Sequence, residues 1–121
     1  MPTSFSVERS QDGDITVLTL HGYLDAHTAP QFEKTIQEEF NAGHVRIVVD
    51  CTGLTYISSA GLGVFMSFIE DVREAGGDIK LCSIVPAVYQ VFEILGFPEL
   101  FDIVADRPTA IERFRTSVKE A

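Results

Sequence analysis

The chain has 121 residues, enough for one domain, and its 45% hydrophobic and 22% charged content is that of a folded protein rather than a disordered one. Nine basic against 18 acidic residues give a formal net charge of −9, which argues against nucleic acid and anionic membrane surfaces as partners, since both require clustered Lys and Arg. No run approaches the roughly 20 apolar residues of a membrane span, and the opening MPTSFSVERSQDGD has no apolar stretch like that of a secretory leader, so a cytoplasmic setting is expected. Cys51 and Cys82 sit in or beside apolar runs without CxxC spacing or a nearby His pair, which predicts two small core residues and no metal site.

Phe5 and Val7 alternate with polar residues, as in a half-buried strand; Asp12-Gly13 marks a turn, and Ile15–Leu20 (ITVLTL) completes a hairpin that Gly22 ends. Thr28 and Gln31 have capping-box spacing, Pro30 suits a first turn, and Phe32, Ile36 and Phe40 share one helical face that Gly43 closes. Val45–Cys51 (VRIVVDC) reads as a strand covered on both faces, with Thr52-Gly53 as a turn after it. A helix follows from about Ala60, with Leu62, Phe65, Phe68, Ile69 and Val72 inward, ending at Gly76-Gly77. Ile79–Ile84 is another strand, and Pro86 starts a helix with Val88, Val91, Phe92 and Leu95 in one stripe before Gly96. Phe101–Val104 is a short last strand; Asp106 caps a final helix whose inward residues are Ile111, Phe114 and Val118. The predicted architecture is a single α/β domain over residues 1–121, with about five strands in a mostly parallel sheet, about four helices and an antiparallel opening hairpin.

The stretch YISSAGLGVF, Tyr56–Phe65, places two serines and three small residues where a strand gives way to a helix. Open α/β sheets carry their sites at such junctions. One serine suffices for a helix cap, worth about 1 kcal/mol, whereas Gly61 and Gly63 weaken the first turn by up to about 1 kcal/mol each. A nucleophile is disfavoured: Gly-x-Ser-x-Gly is absent, and His21, His27 and His44 sit at a strand end, before a helix and beside a turn. Nucleotide binding has only Gly61-x-Gly63 in its favour, with Met66 where a third glycine belongs and no GxxxxGK[ST]. A modified serine fits better. A phosphate there would meet the positive end of a helix dipole, yet block a partner packed against Ala and Gly. No catalytic residue, cofactor or metal ligand is assigned.

Two longer segments, GYLDAHTAPQFEKTI and IVVDCTGLTYISSAGLGVFMSFIEDVREAGGDIKLCSIVPAVYQVFEILG, resemble the STAS-domain anti-sigma factor antagonists of bacteria, and with the strand order the likeness covers nearly the whole chain. The resemblance implies a STAS-like fold and a protein that, unphosphorylated, binds an anti-sigma factor that is also a serine kinase, freeing a sigma factor. It further implies that the kinase, with its own ATP and magnesium, phosphorylates the antagonist and so releases it, and that a phosphatase resets the switch. Family members usually read Asp-Ser-Ser/Thr-Gly at the modified position. Alignment on Gly61-Leu62 puts Ser59 at the acceptor, Ala60 at the next position and Ser58 where Asp is usual, which makes Ser58 a competitor for the phosphate. Asp25 matches the family's loop Asp, and Asp25, Ser58, Gly61 and Leu62 are the partner-binding candidates. Bond-making within the LDAHTA turn is the structural reading of Asp25, and core packing that of Leu62. The alternative role is a STAS subunit of a lipid-transport or stress-signalling scaffold complex.

Overall fold

In the computed structural model, which describes residues 5–120 and the side chains of residues 5–116, the opening hairpin pairs β1 (Phe5–Asp12) antiparallel with β2 (Ile15–Leu24). The two-residue link Gly13-Asp14 joins them, with Gly13 at φ 65°. Then follow α1 (Ala29–Asn41), β3 (Arg46–Ile57), α2 (Ser59–Glu74), β4 (Asp78–Cys82), α3 (Pro86–Ile94), the single turn α4 (Phe97–Leu100), β5 (Asp102–Val104) and α5 (Arg107–Glu120). The five strands lie in the order β1-β2-β3-β4-β5, parallel after the hairpin. Because the order marches one way, right-handed crossovers place α1 to α4 on one face of the sheet. α5 packs on the other face.

The core records this division. Leu18, Leu20, Ile47, Val49, Ile79 and Leu81 face the first four helices, while Ile15, Val17, Val48 and Cys82 meet Ala110, Ile111 and Phe114 of α5. β3 is therefore covered on both faces over Ile47–Cys51, as its apolar run predicts. Cys51 and Cys82 are both buried and free, and burial pushes the Cys82 thiol up to about 11. Phe65 of α2 is the hub of the helical side, with rings of Phe32, Phe92, Phe97 and Phe101 at 5.2, 6.0, 6.4 and 6.0 Å, all edge-on.

Polar contacts fasten α5. Arg107 donates to the Asp50 carboxylate and the Thr19 hydroxyl, each at 2.9 Å, and Asp50 also accepts from the Thr52 amide at 3.0 Å. Burial alone would raise the Asp50 pKa; the Thr52 hydroxyl and amide and the Arg107 guanidinium outweigh it and hold the carboxyl below the usual aspartate value. Lys80, buried beneath the helix, reaches Asp78 at 3.3 Å and Asp102 at 3.1 Å, with its ammonium 4.8 Å from the Phe114 ring centre. Arg107 is partly exposed, so Arg107→Ala is expected to cost about 1–2 kcal/mol. A lowered carboxylate pKa stabilises above its unfolded value of about 3.9 and loses that contribution as pH falls through the folded value. Denaturant titrations should show the gap between parent and variant narrowing from pH ~7 to pH ~3; a constant gap would contradict this assignment.

Several boundaries differ from the sequence reading. Gly22 does not end β2, which runs to Leu24; Gly22 has φ 96° and marks a register irregularity against β3. Thr52-Gly53 is no turn, because β3 continues to Ile57. Gly53 is needed for a different reason: a Cβ there would lie 2.2 Å from His21 Nδ1 and 2.9 Å from the Leu20 carbonyl. Thr28 flanks α1 but makes no side-chain cap, and Leu95 lies beyond α3 and is more than half exposed. The four longer helices are joined by a fifth, the single-turn α4. Asp106 does accept from the Thr109 amide at 2.9 Å, while Val118 lies outside the described side chains.

Candidate partner-binding site at the start of α2

β3 delivers the chain to α2 at Ser58, whose backbone is extended (φ −107°, ψ 175°) and whose carbonyl accepts the first helical bond from Leu62 at 3.0 Å. The Ser58 amide donates to the Leu24 carbonyl at 2.9 Å, which ties the end of β2 to the start of α2. Its hydroxyl makes no cap: the Oγ is buried without a hydrogen-bond partner among the described residues. Ser59, the first residue of α2, is exposed. The two neighbouring serines thus differ sharply in access. Removing the Ser58 hydroxyl takes away no bond, so Ser58→Ala is expected to be neutral or to stabilise by up to about 1 kcal/mol, where a true cap would lose about that amount. Thermal unfolding of the variant checks this.

The glycines divide in the same way. Gly61 is buried, and a Cβ there would lie 2.7 Å from Leu24 Cγ and 3.0 Å from the Leu24 carbonyl oxygen. Its bareness serves the junction between α2 and the loop after β2. Gly63 is exposed and faces open space, so nothing inside the fold requires a glycine there. Leu62 is 3% exposed and belongs to the core.

Asp25 opens the loop between β2 and α1. Its carboxylate accepts from the His27 amide at 2.9 Å and the Thr28 amide at 3.2 Å, an Asx-type turn. Thr28 turns its hydroxyl back to donate to the Tyr23 carbonyl at 2.8 Å and to accept from the Asp25 amide at 2.9 Å, which is why it does not cap α1. Asp25 thus shapes a loop that Leu24 presses against Ser58 and Gly61. Beside it, Tyr23 and Tyr56 face each other across β2 and β3 with ring centres 5.6 Å apart, 40% and 47% exposed. Large, stiff aromatic rings left in water beside an open helix start suit a protein contact.

The STAS domain family model matches residues 6–121. The chain belongs to the STAS-domain family. It is 34% identical over 102 residues to a Bordetella bronchiseptica protein provisionally named anti-sigma factor antagonist BtrV, covering 84% of this chain and 88% of that one. It is 30% identical over 98 residues to the anti-sigma-B factor antagonist of Bacillus subtilis (strain 168), covering 80% and 87%. In fold it is similar to the anti-sigma factor antagonist SpoIIAA in its unphosphorylated form, with a TM-score of 0.78 at 24% identity over 93% of this chain and 97% of that one. Both sequence relatives are named for the anti-sigma factors they antagonise, and neither name is that of an enzyme. Among the described residues, no helix is long and apolar enough to cross a membrane.

Within the STAS domain, Asp25, Ser58, Ser59 and Gly61 converge on one shoulder through Leu24, while Leu62 is turned into the core beneath it. Tyr23 escapes sequence reasoning because its only distinction is its pairing with Tyr56, which requires the strand register.

Proposed function

We propose that this STAS domain is an anti-sigma factor antagonist whose unphosphorylated form binds an anti-sigma factor with serine-kinase activity, so that a sigma factor is released. Phosphorylation of Ser59 ends the binding, and a phosphatase restores it. ATP and magnesium act in the kinase, and the exchange takes place in the cytoplasm. The observation that carries this reading is the access difference: Ser59 stands exposed on the first turn of a 16-residue helix, whereas the neighbouring Ser58 hydroxyl is buried. A kinase must reach the oxygen it modifies, so Ser59 is favoured over Ser58. The helix dipole then accommodates the added charge, and a partner packed on the same shoulder does not. A STAS subunit of a transport or scaffold complex would need no accessible hydroxyl at this point.

Incubation with the cognate kinase and ATP, followed by peptide mapping, tests the assignment. Phosphate is expected on Ser59 and is expected to persist in Ser58→Ala; phosphate on Ser58 alone, or none, would refute it.

Gly63 separates folding from binding. Gly63→Ala should stabilise the isolated domain by about 0.5–1 kcal/mol, because α2 gains a better helix former without a clash. If the partner lies across the first turns of α2, the added methyl should weaken the complex. Thermal unfolding and titration calorimetry on the same variant read the two effects. An unchanged affinity would place the contact elsewhere.

A further inference from the structure

The domain carries a second exposed apolar surface far from Ser59. Ile94, Leu95 and Leu100 are 81%, 54% and 45% exposed and fall within seven consecutive residues: the last of α3, the residue after it and the last of α4. The Leu100 carbonyl accepts a 2.7 Å bond from Arg73, which fixes this corner to the last turn of α2. Arg73 is 14 residues after Ser59, about 21 Å along the helix axis. The corner therefore lies at the opposite end of α2 from the phosphorylation shoulder.

Its rim is acidic. Glu93 and Glu99 flank the apolar residues in the chain, and Glu70 and Glu74 are exposed on the same final stretch of α2. Arg73, the cation on that stretch of α2, is already bonded to Asp78 at 2.9 Å and to the Leu100 carbonyl. Two such corners brought together would oppose like charges in a chain of net charge −9, which disfavours a second copy as the occupant. An apolar centre with an uncompensated acidic rim is complementary to an apolar anchor ringed by Lys or Arg.

We propose that the α3–α4 corner is a second docking surface, taken by a basic, amphipathic protein segment independently of the state of Ser59. The test is a titration of the isotope-labelled domain, followed by amide chemical shifts, with a short model helix bearing a leucine face flanked by lysines and with its glutamate-flanked twin. The lysine peptide should give saturable shifts confined to residues 94–100 and the last turn of α2, weaker in high salt, with none from the twin. Ile94→Ser with Leu95→Ser changes two exposed side chains and should weaken binding at least about tenfold with the fold intact. Ser59→Asp should leave these shifts unchanged, which separates this surface from the sigma-factor switch. Shifts scattered over the acidic surface, equal binding of the twin, indifference to the double substitution, dependence on Ser59, or self-association through the corner would each overturn the proposal.

Discussion

Ser59→Asp is expected to weaken binding to the cognate anti-sigma factor by at least about a hundredfold, close to 3 kcal/mol, while the domain keeps its unfolding temperature. The two halves of this expectation have separate physical causes. In the free domain the carboxylate sits on the first turn of α2, where a negative charge is favourable by about 0.3–1 kcal/mol. In the proposed complex the same charge would have to be desolvated where the partner meets a hydroxyl, beside the exposed Ala60 and Gly63. Calorimetric titration together with thermal unfolding distinguishes this from simple damage. A variant that lost stability along with binding would show that the helix start, rather than the charge, had failed. Ser59→Ala should retain binding, since it adds neither bulk nor charge.

Phe65→Ala should lower stability by about 3–5 kcal/mol, a large part of the roughly 5–15 kcal/mol available to a domain. Phe65 is fully buried and its ring meets Phe32 of α1, Phe92 of α3, Phe97 of α4 and Phe101 before β5. Truncation leaves a cavity that no single neighbour can fill, because the four rings approach from different elements. The effect reaches the candidate site through α2: Phe65 lies on the same helix as Ser59, so its loss loosens the seat of the Ser59 shoulder. Urea denaturation should show a lowered midpoint with an unchanged slope. A loss below about 1 kcal/mol would mean that the aromatic cluster is not the anchor of this face.

Much of the fold was legible because its signals are local and periodic. The helical spacing of Phe32, Ile36 and Phe40, the unbroken run of β3 and the turn at Asp12-Gly13 each depend on nearby residues, and each gives the element expected. The misreadings came from glycines and hydroxyls whose roles are set by distant partners. Gly22 and Gly53 look like strand ends, but one absorbs a register irregularity and the other makes room for the His21 ring. Thr28 and Ser58 have the composition of helix caps, yet Thr28 bonds back into the preceding loop and the Ser58 hydroxyl is buried without a bond. At the site, sequence pattern locates the shoulder, but not which serine is accessible, which glycine is structural, or that Tyr23 stands beside Tyr56. Those distinctions depend on the meeting of β2 with α2 at Leu24, a contact between residues more than thirty positions apart.

The most direct measurement compares one preparation in two states. The domain is phosphorylated enzymatically at Ser59, and its affinity for the cognate anti-sigma factor is measured before modification, after it, and again after enzymatic removal of the phosphate. Tight binding, loss of binding and full recovery, in that order, are the expected results. Equal affinity in all three states would contradict the switch, however similar this domain is to its relatives.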